Sequence, residues 1–301
     1  MQEVTLDFLR GSPLPQPDEA GDKEGRGRVL VIGGSLEVPG AALLAGTAAL
    51  RAGCGKLQVA TCRSIAPHLG LMLPEALVVG LPETPGGGID PACAADLAAR
   101  AGRCDAVLVG PGMMDEDAVA ALVAELLGGV EGPAFVIDAG ALTGLRDRPE
   151  VLRRHAGRLV LTPHSGEMAA YLGITKDEVV ADPVAAAREA AALAQCVVAM
   201  KGACTYIVSP QGEAWSSRRG NVGLATSGSG DTLAGIIAGL LARGVTPVQA
   251  TIWGVFLHAE AGNRLARSRG MLGFLARELL AEVPLIMAEM AGNETEPVRG
   301  S

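Results

Sequence analysis

Short, continuous apolar runs recur along the chain, and each stops at a small or polar residue. Arg28-Val-Leu-Val-Ile32 runs into Gly33-Gly34-Ser35, Lys56-Leu-Gln-Val-Ala-Thr61 follows, and Ala106-Val-Leu-Val109 ends in Gly110-Pro111-Gly112. Ala134-Phe-Val-Ile137 stops at Asp138, the run 158–162 at Pro163-His164, and the run 196–200 at Lys201. Runs this short, rich in β-branched residues and without polar alternation, predict strands buried on both faces. Between them, longer segments with helical spacing predict helices over 39–51, 115–127, 182–195, 232–242, 247–268 and 276–290. Residues 205–209 and 213–215, separated by Gln211-Gly212, predict a hairpin.

The order strand, helix, strand, repeated, implies parallel pairing and an α/β fold of three layers, helix, mostly parallel sheet, helix. Nothing divides the chain, so residues 28–290 are expected to form one domain. Residues 1–27 carry Pro, Gly and charge with little periodicity and read as an extended arm or loop. Residues 291–301 read as a flexible tail.

In a parallel sheet the C-terminal ends of the strands share one edge, where open α/β sheets bind ligands. The residues that end the runs, Gly33-Gly34-Ser35, Gly110-Pro111-Gly112, Asp138, His164 and Lys201, are thereby directed to one place without any single motif.

Composition narrows the classes. A net charge of −8 argues against a nucleic-acid binder, which needs a basic face, but not against a nucleotide held by backbone N–H groups and a lysine. The six cysteines form no C-x-x-C pair, so they read as small packing residues in a reducing compartment rather than a zinc site. The N-terminus has no signal-peptide pattern, and the apolar run 232–242 is far shorter than the ~20 residues a bilayer crossing needs. A cytoplasmic protein without membrane contact is expected.

The strongest local signal is Thr226-Ser-Gly-Ser-Gly-Asp231 ahead of an apolar helix. Small residues admit a phosphate to the backbone, and free N–H groups at a helix start donate to it. Asp231 in the first turn is a candidate base for a hydroxyl that attacks phosphorus. Aspartate is also favoured as a helix cap, and this segment alone leaves capping and catalysis equally open. The loop lacks the Walker A spacing, and Gly33-Gly34-Ser35 lacks the later glycines of a dinucleotide fingerprint. Taken singly, Lys201 reads as a solvated strand-end lysine, His164 as a loop histidine bonded to backbone, and His258 as a core or interface residue. Asp138 is a candidate to support a metal through water or to hold a loop, and Asn221 to orient the glycine loop. His68 and His155 are expected at the surface.

Taken together the segments resemble the NAD(P)H-hydrate dehydratase family of the ribokinase-like superfamily. The matching stretches are Gly27–Ser35, Pro39–Ala45, Gly110–Gly112, Asp138–Leu142, Leu161–Glu167, Lys201–Thr205, Gly220–Asp231 and Leu257-His258, in the family's order, across roughly residues 27–285. The resemblance implies a ribokinase-like fold and dehydration of the hydrate of NADH or NADPH at the expense of ADP (or ATP), with Mg2+ bridging the phosphates. Asp231 would deprotonate the C6 hydroxyl of the hydrate, which attacks the terminal phosphate of ADP. Phosphate then leaves, giving NAD(P)H, AMP and inorganic phosphate, with Gly230 stabilising the phosphoryl charge. It places nucleotide contacts on Lys201, Gly202, Ala203, Cys204, Thr205, Gly228, Ser229 and Gly230. It places hydrate contacts on Ala41, Ala42, Gly112, His164 and Asp231. It assigns no direct metal ligand, Asp138 acting at most through water. It also implies a homotetramer and, since many relatives carry a fused epimerase that this chain lacks room for, a separate epimerase partner.

Two departures stand out. Ser227 replaces the family's first loop glycine, which is costly if that residue has φ > 0. Cys204 replaces a glycine and would tighten the nucleotide pocket. Two other functions share the same parts: a small-molecule kinase of the superfamily, of the thiazole or sugar type, and a catalytically silent nucleotide-binding paralogue.

Overall fold

The computed structural model describes residues 1–16 and 22–292. Its strands are β1 (Gln2–Glu3), β2 (Arg28–Ile32), β3 (Lys56–Cys62), β4 (Ala76–Leu81), β5 (Ala106–Val109), β6 (Ala134–Ile137), β7 (Leu159–Leu161), β8 (Val197–Met200), β9 (Thr205–Val208) and β10 (Ala214–Ser217). Its helices are α1 (Leu6–Arg10), α2 (Gly40–Arg51), α3 (Ala66–Met72), α4 (Ala94–Ala101), α5 (Glu116–Gly129), α6 (Gly140–Thr143), α7 (Pro149–Arg153), α8 (Ser165–Leu172), α9 (Lys176–Ala181), α10 (Pro183–Ala194), α11 (Ser229–Ala242), α12 (Pro247–Arg269) and α13 (Ala276–Met290).

The strands form one sheet in the order β1-β10-β9-β8-β7-β6-β5-β2-β3-β4. Every neighbouring pair is parallel except the two made by β9. The continuous apolar runs follow from burial on both faces. Val29 and Val31 join one core cluster with residues of α2, α11, α12 and α13. Leu30 and Ile32, pointing the other way, join a second cluster with residues of α4, α5, α8 and α10. The expected three-layer α/β architecture with a mostly parallel sheet is present.

From β2 the chain builds outward through β3 and β4, then crosses to β5 on the other side of β2 and continues to β8. The order therefore reverses between β2 and β5, which opens a crevice beyond their C-terminal ends. There the turns after the two strands touch: Gly34 donates its N–H to the Pro111 carbonyl at 2.7 Å, and a Cβ on Gly33 would lie 2.4 Å from that oxygen.

Three features differ from the sequence-based expectation. The segment 1–27 is not simply an extended arm: β1 pairs with β10, Thr5 caps α1, and Val4, Leu9 and Leu14 are buried. A two-residue strand and a single helical turn have no periodicity to reveal them. β4 was not anticipated, because as the sheet's outer strand it is only half buried. His155 lies in the interior rather than at the surface, with Nε2 2.9 Å from the Leu127 carbonyl and its ring edge-on to Phe135 at 4.7 Å. Residues 17–21 of the expected arm and 293–301 of the expected tail lie outside the described residues.

Candidate active site

The glycine loop leads directly into α11. Gly228 occupies the cap position with φ +84°, in the left-handed region, and a Cβ there would fall 2.4 Å from Leu44 Cδ1. Glycine is thus required at 228 for both conformation and space. Ser227 does not have positive φ, so the serine that departs from the family pattern meets no backbone penalty. Ser229 donates its N–H to the Thr226 carbonyl at 3.2 Å, whereas the N–H groups of Gly228 and Gly230 have no acceptor among the described residues. Asp231 stands in the first turn but does not cap the helix: Gly228 holds that position and no side chain bonds there.

Asp231 shares its surroundings with Lys201, Asp138 and Glu167. Burial pushes its carboxyl up to about 6, the neighbouring Asp138 and Glu167 charges push the same way, and Lys201 opposes them. Lys201 follows β8 and is not a solvated strand-end lysine. Its Nζ lies 2.9 Å from Asp138 Oδ1 and 3.7 Å from Glu167 Oε2, and close enough to Gly230 that a Cβ there would sit 3.4 Å away. Burial would lower the pKa of this ammonium, but Asp138, Glu167 and Asp231 outweigh burial and hold it above the usual lysine value. Asp138, at the end of β6 and buried, also accepts from Thr162 Oγ1 at 2.7 Å. One cation is therefore held by two carboxylates, with the charge of a third, Asp231, close by at the start of α11.

His164 caps α8. Its Nδ1 accepts from the N–H groups of Gly166 and Glu167 at 3.0 and 3.2 Å, and Glu167 Oε2 accepts the N–H of His164 at 2.7 Å. An Nδ1 that accepts must be unprotonated, so a neutral ring carries its proton on Nε2. Nε2 lies 3.3 Å from Glu167 Oε1, and the side chain is 58% exposed, leaving an edge open to a ligand. The backbone-bonded histidine and the ligand-facing histidine are thus compatible in one residue.

A cavity of about 800 Å³ lies between the β8 edge, the glycine loop and α12. His164, Lys201, Gly202, Ala203, Thr205, Ser229 and Gly230, all expected at a ligand, line it, as does Asn221. Cys204 is not among the lining residues, so it does not narrow this space. It is near enough to the Tyr206 hydroxyl to raise its pKa. Asn221 accepts the Gly223 N–H and donates to Asn263 at 3.1 Å, tying the loop to α12.

Ala41, Ala42 and Gly112 lie elsewhere, at the β2/β5 crevice. Both alanines are buried, and a Cβ on Gly112 would lie 2.8 Å from that of Ala41 and 2.5 Å from the Val38 carbonyl. The two regions adjoin through α2, since Leu44, one turn beyond Ala41, packs on Gly228. Among the described residues no group of three or more His, Cys, Asp or Glu has metal-binding geometry, and Asp138 Oδ1 is already occupied by Lys201 and Thr162.

His258, read from the sequence as a core or interface residue, is at the cavity instead. It lines the cavity from α12 with Nε2 2.9 Å from Ser229 Oγ. The available signal was a polar residue on a helix face it shares with Val255 and Ala259, at spacings of three and one. Glu167 and Thr162, which organise Lys201 and Asp138, have no signal in the sequence beyond belonging to the stretch Leu161–Glu167.

Residues 29–285 match the family model described as NAD(P)H-hydrate dehydratase. An ADP-dependent (S)-NAD(P)H-hydrate dehydratase from Xanthomonas campestris is 50% identical over 288 residues, covering 95% of this chain and 96% of its own. The crystal structure of the ADP/ATP-dependent NAD(P)H-hydrate dehydratase from Bacillus subtilis, co-crystallised with ATP and Mg2+, is 31% identical with a TM-score of 0.81, covering 96% of this chain and 98% of its own. A ribokinase-like superfamily protein from Enterococcus faecalis is 26% identical, also with a TM-score of 0.81, over 96% of both chains. With the glycine loop, its adjoining carboxylate and the strand-end residues on one sheet edge, these matches place the chain in the NAD(P)H-hydrate dehydratase family, lyases built on a ribokinase-like fold.

Proposed function

We propose that the protein dehydrates the (S)-hydrate of NADH or NADPH with consumption of ADP. Nucleotide occupies the cavity along Lys201, Gly202, Ala203, Thr205, Ser229 and Gly230, with its terminal phosphate at the start of α11, where Gly228 caps the helix. The dihydronicotinamide hydrate lies toward Ala41, Ala42, Gly112 and His164. Asp231 takes the proton of the C6 hydroxyl, and the oxygen attacks the terminal phosphorus of ADP as the bond to AMP breaks. Loss of phosphate from C6, with a proton from C5, then restores the ring double bond. The free N–H groups of Gly228 and Gly230 and the Lys201 ammonium face the charge that grows on the phosphoryl oxygens.

The observation that carries this reading is the Asp231 carboxyl, raised to about 6, beside an N–H-rich helix start. Such a carboxylate is a stronger base than an ordinary aspartate yet remains ionised at neutral pH. Mg2+ suits the site as an ion that keeps its waters and binds phosphate oxygens. Asp138 and Glu167 would hold it through those waters, and it would supply charge neutralisation on the phosphates.

Because the Xanthomonas relative is named for the S form, the R form requires an epimerase, which we take to be a separate partner. A cytoplasmic location fits six free cysteines, five of them buried. A homotetramer is in keeping with the exposed Leu71 and Met72 of α3 and Leu77 of β4, and light scattering of the purified protein tests it. Residues 28–290 are taken as the catalytic domain.

The substitution Asp231→Asn is expected to retain ADP binding and lower turnover by about 10²–10⁴-fold, the usual worth of a general base. Wild-type turnover in that variant contradicts the assignment. A small-molecule kinase would instead phosphorylate alcohols of the thiazole or sugar type and leave the hydrate untouched.

A further inference from the structure

The phosphate end of the cavity contains a pair of side chains that the chemistry above does not use. Ser229 is the first residue of α11, and its backbone N–H is already committed to the Thr226 carbonyl at 3.2 Å. What this residue can offer an anion is therefore its hydroxyl. Serine lacks the branching methyl that restricts threonine, so its hydroxyl must be fixed by a partner or pay rotamer entropy on binding. The partner present is His258, whose Nε2 approaches Oγ at 2.9 Å from the facing wall of α12.

We propose that His258 is a positioning residue for the phosphate site, donating from Nε2 to Ser229 Oγ so that the Ser229 O–H points at the terminal phosphoryl group of the bound nucleotide. The proposal rests on the nucleotide reading above. Burial, reinforced by the nearby Lys201 charge, lowers the imidazole to about 4 against the opposing effect of the Ser229 backbone, so the ring is neutral under physiological conditions. A neutral ring has one N–H and two tautomers. With the proton on Nδ1, Ser229 must donate to Nε2 and would turn lone pairs toward an anion. With the proton on Nε2, the serine oxygen accepts from the ring and its own hydrogen is free for the phosphate. Arrival of a phosphate selects the second arrangement, which extends the donor row formed by the Gly228 and Gly230 N–H groups.

The test is calorimetric titration of ADP with Mg2+ into the wild-type protein and the variants His258→Leu, His258→Gln, Ser229→Ala and His258→Leu/Ser229→Ala. A charge-assisted hydrogen bond of ordinary worth predicts that His258→Leu and Ser229→Ala each weaken binding about 10-fold. The double variant is expected to be no weaker than either single, because both remove the same bond. His258→Gln, whose side-chain amide can donate to Oγ, is expected to recover most of the affinity. Thermal melts of each variant separate this from a merely structural histidine, which would shift melting and leave binding alone. Binding that is indifferent to His258→Leu, or losses that multiply to about 100-fold in the double variant, overturns the proposal. If His258→Leu does not fold, wild-type affinity in Ser229→Ala overturns it equally. Failure of the wild-type protein to bind ADP would overturn the nucleotide reading, and this proposal with it.

Discussion

At the scale of single residues, the site is governed by charges that oppose one another. Asp231 is raised to about 6 by burial, with Asp138 and Glu167 adding to it and Lys201 restraining it. A base must be unprotonated, so activity is expected to fall as pH drops through about 6 and to be level above it, read from a pH profile of kcat/KM. Removing the restraining cation with Lys201→Met should move that limb to higher pH, and removing a like charge with Asp138→Asn should move it lower. The same shift has a consequence for stability. A carboxyl whose folded pKa lies above its ordinary 3.8 destabilises the fold once ionised, so the cost develops between about pH 4 and 6 and is complete above. Asp231→Asn should therefore stabilise the protein by about 1–3 kcal/mol at neutral pH and by little below pH 4, as measured by denaturant unfolding. Of these residues, Asp231 was legible as a candidate because the glycine loop beside it in the chain is also beside it in the fold, while the charges that set its basicity, Asp138, Glu167 and Lys201, come from elsewhere in the sequence. The place of Lys201 at the strand end was legible, but its withdrawal from solvent was not: the partner responsible, Asp138, lies 63 positions away. His164 was legible only in part, since its capping role comes from Glu167 three residues on, while its open edge depends on the cavity.

At the scale of elements, two helices bring the glycine loop and the crevice together. α2 and α11 pack with almost no side chain between them. A Cβ on Gly235 would lie 2.2 Å from the Ala45 carbonyl, and one on Gly239 2.5 Å from that of Ala49. Since Gly228 meets Leu44, Gly235 meets Ala45 and Ala48, and Gly239 meets Ala49 and Ala52, the helices run the same way. Both positive ends thus face the same end of the sheet, where an anion gains from each. Gly235→Ala is expected to cost about 1–3 kcal/mol in unfolding free energy, because backbone rather than a flexible side chain must move. Gly128→Ala in α5, where the added Cβ meets nothing within 4 Å, should be neutral or stabilise by up to about 1 kcal/mol. Gly235 performing as Gly128 does would contradict this account of the helix pair. The principal helices and the buried strands were legible because burial on two faces leaves a continuous apolar run and burial on one leaves a period. The outer strand β4, the short β1 and the brief helices were not, since each is defined by a partner distant in sequence.

At the scale of the whole molecule, the fold directs chemistry to one edge. Seven successive parallel strands, β2 to β8, release their ends on the same side, and the reversal between β2 and β5 opens the crevice there. A net charge of −8 does not favour an anionic nucleotide at long range, but at cellular salt that field is screened within about 8 Å. On the proposed reading the local donors decide binding instead: the Gly228 and Gly230 amides, Lys201 and two aligned helices. Their combination with a raised carboxylate is what a phosphoryl acceptor with a hydroxyl needs. The most direct measurement incubates the purified protein with the (S)-hydrate of NADH, ADP and Mg2+ and follows every product. Equal amounts of AMP, inorganic phosphate and NADH, with recovery of the dihydronicotinamide absorbance, are predicted. A stable phosphorylated product without NADH, or hydrate left intact while ADP is bound, would contradict the account.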